Sequence, residues 1–309
     1  MNILIVDDLH EIILEKFDQA NITYNYLPDC TRTEAEQLIP AYQGLIIRSK
    51  FQVDQEFIDL SPNLQFIGRS GAGMDNIDEA YATKKNIQLF SANEGNKDAV
   101  AEHMIGMLLS LMNNLNRANF EVKNGEWNRE KNRGYELKGK TVAIIGYGHN
   151  GQAMAKKLSG FDVQVIAYDK YKTGFSDQYA REVSMEEIVK QADVLSFHIP
   201  LTRETKNMVD KEYLFHFRKP IILLMGARGG IVDIPSVIHY LNSGKILGAA
   251  FDVLPIEKFP LLAEQAWFED LIKRDNVLFS PHVAGWTFES YFKLSDILAD
   301  KIIAYLQTK

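Results

Sequence analysis

The chain has 309 residues, 46% hydrophobic and 24% charged, with a formal net charge of −7. That length suffices for two domains with a sizeable core, and the negative balance excludes an electrostatic footprint for nucleic acid. The single cysteine, Cys30, excludes an internal disulfide and a thiolate metal cluster, and no apolar run reaches the length of a membrane span.

A reducing, cytoplasmic setting is therefore expected, with no metal site and no nucleic-acid or membrane partner. The opening stretch, Met1-Asn2-Ile3-Leu4-Ile5-Val6-Asp7, reads as a strand without a basic flank or cleavage site, so no signal peptide is expected. Strands are predicted over 3–7, 24–27, 44–48, 65–69 and 87–91, and helices over 10–20, 33–39, 54–60 and 76–84. Thr33 with Glu36 reads as a capping box. Strand–helix alternation of this kind makes a parallel, doubly wound sheet. Its first turn has no glycine fingerprint, so this half is assigned to substrate. Arg48-Ser49-Lys50 falls at the C-terminal end of a strand, the edge where open α/β sheets bind ligands; a solvated basic pair is the alternative. Ser70, Gly71, Ala72 and Gly73 follow a strand and open a helix. Their N–H groups either form an anion nest or make an ordinary turn.

Val100, Met104, Met107, Leu108, Leu111 and Leu115 recur at helical spacing. They predict one long helix over 98–124 that joins the two halves, its stripe serving core or subunit contact. His103 on it reads as structural. Residues 113–139 are polar and loop-rich, with Trp127 and Arg129 in the middle, and read as an arm reaching a partner subunit or a cleft.

The stretch from Thr141 to Asp169 is the most informative. The apolar run Val142-Ala143-Ile144-Ile145 leads into Gly146-Tyr147-Gly148-His149-Asn150-Gly151, then a helical pattern, then a second strand ending at Asp169. Gly146 allows the tight turn, Gly148 admits a pyrophosphate, and Gly151 lets the helix approach the sheet. The helix N-terminus offers free N–H groups to phosphate. Asp169, 18 residues beyond Gly151, suits ribose hydroxyls and repels a 2′-phosphate, so NAD is expected over NADP. Lys170 and Lys172 weaken that preference.

Further strand–helix units follow. Ser184 with Glu187 reads as a second capping box, and strands are predicted over 193–199, 221–225, 246–253 and 277–279. A helix over 236–242 with Pro235 near its start is closed by Gly244, and a final helix over 288–306 is expected to pack on the first half. Arg228, Glu257, Asp252 and His282 all fall near strand ends. Carboxyl ends of parallel strands face one crevice, and an arginine, an acid and a histidine converging there suit hydride transfer from a hydroxy acid.

These motifs, with His198-Ile199-Pro200-Leu201-Thr202, Ala227-Arg228-Gly229-Gly230, Gly248-Ala249-Ala250-Phe251-Asp252-Val253 and Pro281-His282, run in the order of one family. Over nearly its whole length the chain resembles the D-isomer-specific 2-hydroxyacid dehydrogenases, most of all the branch acting on 3-phosphoglycerate. The resemblance implies two doubly wound parallel-sheet α/β domains. A Rossmann NAD-binding domain, residues 96–285, would be inserted into a flavodoxin-like substrate domain, residues 1–95 and 286–309. It implies His282 as general acid/base, Glu257 orienting it, and Arg228 on the substrate carboxylate. Cofactor contacts would come from Gly146, Gly148, His149, Asn150, Gly151, Asp169, His198, Pro200, Thr205, Ala227, Asp252 and Gly285. Substrate contacts would come from Arg48 and from the N–H groups of Ser70, Gly71, Ala72 and Gly73. Lys50, Arg129 and Arg133 are further candidate cations. The chain departs from the pattern at His149, usually arginine, at Met225 and Gly226, usually asparagine and a small polar residue, and at Lys258, usually proline. The partner is expected to be a small 2-hydroxy or 2-keto acid, the assembly a homodimer, and no regulatory extension is expected after Lys309. Glyoxylate, hydroxypyruvate or D-lactate chemistry is the alternative substrate reading. A non-catalytic NAD-sensing binder is the alternative of another class.

Overall fold

Short runs of Ile, Leu and Val form the strands of two separate sheets, and every strand pairing among the described residues is parallel. The computed structural model describes residues 1–308 and divides into two units, Met1–Asn96 with Trp286–Lys309, and Lys97–Gly285. No described helix is long and apolar enough to cross a membrane.

In the first unit, strands β1 (Asn2–Ile5), β2 (Thr23–Tyr26), β3 (Gly44–Ile47), β4 (Phe66–Arg69) and β5 (Gln88–Ser91) lie in the order β2-β1-β3-β4-β5. Alternation along each strand sends Leu4, Leu45, Ile47 and Ile67 to one buried face, with Ile39 and Phe57. Ile3, Ile5, Ile46 and Phe66 go to the other, against Ile13 and Phe17 of the helix Ile12–Gln19 and Leu294, Leu298 and Ile302 of the helix Phe288–Gln307. Each such Leu or Ile contributes roughly 1.5–3 kcal/mol, which is why the chain's last helix belongs to this sheet. Lys16, paired with Asp296 at 2.5 Å, and Lys301, paired with Glu94 at 2.8 Å, add ion pairs at its edges.

In the second unit, β6 (Thr141–Ile145), β7 (Gln164–Tyr168), β8 (Arg181–Glu182), β9 (Val194–Phe197), β10 (Ile221–Met225), β11 (Ile246–Phe251) and β12 (Val277–Phe279) lie in the order β12-β11-β10-β9-β6-β7-β8. The chain leaves β6 toward β7 and β8, then returns to its other side through β9. The β6/β9 pair is thus the topological switch of this sheet, as β1/β3 is of the first.

Several local expectations are corrected. The capping box is Thr31 with Glu34, not Thr33 with Glu36; Glu36 instead pairs with Arg32 at 2.7 Å. The helix expected from residue 76 starts at Glu79 on an Asp78 cap, because Asn76 is buried and bonded to Arg69 and Phe51. Ser184 caps its helix, but the Glu187 side chain turns to Arg181 and Gln191, so that capping box is half made. The long helix over 98–124 is two, Lys97–Met112 and Leu115–Lys123, broken where Asn114 takes a φ of 53°. Asparagine tolerates that left-handed geometry and apolar periodicity does not register it. Outside the helix Leu115–Lys123 the arm is loop, as expected, and it is tied down by the buried Glu121, which holds Lys131 and Asn132. The short β8 and the helices Lys211–Phe215 and Phe268–Ile272 carry too few residues to show a period.

Candidate active site

The glycines after β6 do three different jobs. Gly146 has a φ of 93°, and a Cβ there would lie 2.6 Å from the His198 carbonyl oxygen. A Cβ on Gly151 would lie 2.2 Å from the Gly146 oxygen, so only glycine lets this helix sit so close to the strand. A Cβ on Gly148 would meet nothing within 4 Å. That glycine is not required by the packing; it borders open space at the start of the helix His149–Leu158, which has no side-chain cap on its first N–H groups.

Two buried polar atoms at the same edge lack a partner, Asn150 Oδ1 and His198 Nδ1. His198 is held by Ser196 at 2.9 Å, and burial lowers its pKa to about 4, so it is neutral. A buried polar atom without a partner requires an explanation, and a ligand at this edge would supply one. Asp169, at the end of β7, accepts from the Tyr147 and Tyr171 amides at 2.9 Å each, one per oxygen, leaving each oxygen a further lone pair. The two lysines that seemed to offset it are engaged elsewhere: Lys170 with Glu204, and Lys172 with the Tyr147 carbonyl at 3.0 Å. Thr205 folds back on the Pro200 carbonyl at 2.7 Å and shapes the loop after β9, while His149 is exposed. The open glycine, uncapped helix, orphaned side chains and free carboxylate lone pairs fit a dinucleotide.

The ends of β10, β11 and β12 carry the candidate catalytic groups. Gly229 packs against the backbone of Leu254 and Pro255 so closely that a Cβ would lie 2.0 Å from the Leu254 carbonyl carbon. This sets the Arg228 turn beside the segment that carries Glu257. The departure at Gly226 has a packing cause, since a Cβ there would lie 2.5 Å from Met104 Sδ.

His282 Nδ1 lies 2.8 Å from Glu257 Oε2. A carboxylate only accepts, so Nδ1 carries the proton and Nε2 is left for a substrate. The hydrogen bond and charge of Glu257 raise the His282 pKa, against opposing contributions from burial and from Arg228. His282 has a φ of 56°, a conformation costing about 1–3 kcal/mol for a non-glycine residue. Asp252, 2% exposed, holds it there. Its carbonyl takes the His282 N–H at 2.8 Å, and its carboxylate takes Val283 N–H at 2.9 Å and Ala284 N–H at 3.0 Å.

In the first unit, Arg48 stacks 3.8 Å over the Trp286 ring, which fixes its guanidinium plane. Lys50 donates to the Pro28 carbonyl, and Arg133 of the second unit pairs with Glu130 at 2.6 Å. The proposed nest is smaller than its four residues: Ser70 N–H goes to Ile47 O and Gly71 N–H to Arg69 O, so only Ala72 and Gly73 keep theirs for a ligand. Arg69 ties this loop down, donating to Gly73 O at 2.6 Å and Arg48 O at 3.0 Å. Asp7 is not among the predicted site residues. One of its oxygens accepts from Arg48, Ser49 and Lys50 N–H at 3.0, 2.8 and 3.0 Å. Its only sequence signal is an acid at a strand end.

Residues 105–284 match the family described as D-isomer specific 2-hydroxyacid dehydrogenase, NAD binding domain. The chain is 32% identical over 305 residues to the D-3-phosphoglycerate dehydrogenase of Archaeoglobus fulgidus, a match spanning 98% of this chain but 57% of that protein. It is 31% identical over 296 residues to the hydroxypyruvate reductase of Thermotoga maritima, spanning 96% of this chain and 94% of that one. The solved NAD-dependent formate dehydrogenase of Staphylococcus aureus, in complex with NAD, superposes with a TM-score of 0.80 at 27% identity, over 100% of this chain and 96% of that one.

Proposed function

Since this chain belongs to the D-isomer specific 2-hydroxyacid dehydrogenase family, we propose that it interconverts a D-2-hydroxy acid and its 2-keto acid with NAD(H). The cofactor, when bound, would supply the hydride as NADH or accept it as NAD+. The observation that carries the reading is the 2.8 Å contact between His282 and Glu257 beside the Arg228 turn. Arg228 holds the substrate carboxylate through its planar fork. In reduction, His282 Nε2–H gives its proton to the carbonyl oxygen as C2 gains hydride, so no alkoxide charge builds up. In oxidation, neutral Nε2 takes that proton back. Glu257 stabilises the protonated imidazole, and Asp252 keeps one acceptor position for the carboxamide of the cofactor.

Glu257 raises the His282 pKa, which fixes the pH dependence. Reductive kcat/KM falls as pH rises through that pKa, and oxidative kcat/KM rises through it. Glu257→Gln moves both limbs to lower pH; profiles that stay in place remove Glu257 from the role.

For substrate we favour 3-phosphoglycerate and 3-phosphohydroxypyruvate, supported by Arg48 held flat on Trp286 as a cation for the far phosphate. Hydroxypyruvate or glyoxylate is the second reading, favoured by the near end-to-end match to the Thermotoga reductase. The exposed Leu115, Phe120, Val122, Trp127 and Tyr135 support a homodimer, which sedimentation tests. The deciding experiment is a turnover panel of 3-phosphohydroxypyruvate, hydroxypyruvate, glyoxylate and pyruvate with NADH against NADPH. NADH binding without reduction of any of them would replace the enzyme reading by that of an NAD-sensing binder.

A further inference from the structure

The helix Lys97–Met112 contributes mainly core, yet one of its polar side chains reaches the histidine turn. His103 Nε2 lies 2.8 Å from Ser280 Oγ and 3.6 Å from Asp252 Oδ1. The Ser280 hydroxyl is 2.6 Å from Asp252 Oδ1 and 3.6 Å from Met107 Sδ. The carboxylate only accepts and thioether sulfur accepts weakly, so the hydroxyl hydrogen points to Asp252. Ser280 Oγ then accepts from His103, which places a proton on Nε2. The result is a directed chain, from His103 N–H through Ser280 O–H to the Asp252 carboxylate. That carboxylate receives the N–H groups of Val283 and Ala284, the two residues after His282. The chain therefore ends on the peptides that hold the left-handed turn at His282.

We propose that His103 is a positioning residue for His282: by anchoring Ser280 and Asp252 it keeps the turn in the geometry that aims the imidazole at Glu257. This rests on the reading of His282 as the group that moves the proton. Without His103, the Ser280 oxygen loses its donor and the hydroxyl can rotate. Asp252 can then turn, and the strain at His282 is released by a shift of the ring. The charged groups acting on His282 are Glu257, Arg228 and Asp252; His103 works one side chain further out.

The test compares His103→Leu, His103→Gln and Ser280→Ala in the full chain. Glutamine returns an amide N–H near the position of Nε2–H. His103→Leu and Ser280→Ala are expected to lower kcat about tenfold or more while KM for the keto acid stays within about threefold. His103→Gln is expected to recover kcat to within about threefold of the parent. A titration of the His282 imidazole by NMR should show a lower midpoint in His103→Leu, because the Glu257 contact is loosened. A His103→Leu protein whose kcat and His282 titration match the parent overturns the proposal, whatever its Tm. The NMR titration needs no turnover. Failure of the parent chain to reduce any keto acid therefore overturns the proposed reaction alone, and the titration still decides the role of His103.

Discussion

The two sheets share a plan and differ at their switch points. In the first, β1 and β3 diverge, and the crevice is closed by the chain itself: Asp7 spends one carboxylate oxygen on three consecutive N–H groups at 48–50. In the second, β6 and β9 diverge, and the crevice stays open above Gly148, with Asn150 Oδ1 and His198 Nδ1 unpartnered. Both ends of sheet could in principle hold an anion. One is neutralised by an internal acid and presents side chains such as Arg48; the other keeps its backbone donors for a ligand. Topology thus offers two edges of one kind, and a single carboxylate distinguishes them.

Breaking the closed switch should have the largest effect. Asp7→Ala leaves three N–H groups without their acceptor and is expected to destabilise the first unit by about 3 kcal/mol or more, read by urea denaturation, with the Kd for NADH unchanged. At the open switch the two glycines should separate. Gly151→Ala forces a methyl onto a carbonyl and is expected to cost about 1–3 kcal/mol of stability. Gly148→Ala should leave Tm in place and weaken NADH binding, since its methyl enters only the open space. Equal losses of Tm in the two would mean that the space at Gly148 is not a ligand's.

Arg48→Ala tests what the closed switch still presents. It should lower kcat/KM for 3-phosphohydroxypyruvate about 10- to 100-fold, the worth of a charge-assisted contact, and leave glyoxylate turnover unchanged. An unchanged value with the phosphorylated acid removes Arg48 from the site. The smallest effect is expected at Asp169. Asp169→Ala should weaken NADH about tenfold, near 1.4 kcal/mol, and narrow the gap to NADPH, measured as the ratio of the two KM values.

The cradle was legible because its signal is local: Gly146, Gly148, Gly151 and Asp169 are spaced by one strand–helix–strand unit, and Gly146 and Gly151 answer to steric needs close by. The strands were legible because alternation and apolar runs report burial directly. The break at Asn114 was not, since a positive φ leaves the apolar spacing on either side intact. Asp7 and Ser280 were missed and His103 was read only as structural for a different reason. Their partners lie 41 to 43, 28 and 177 residues away in the chain, and no spacing rule joins them.

By itself the sequence determined two α/β sheets and the family, and it offered the glycine edge and Arg228, Glu257 and His282 as candidates, because periodicity, glycine sterics and motif order act over short stretches. Tertiary structure alone decided which N–H groups remain for a ligand, that the His282 ring is turned to Glu257, and that Asp252 holds a left-handed turn beneath it. Those are matters of direction, and direction is set by side chains that meet only after distant strands have paired.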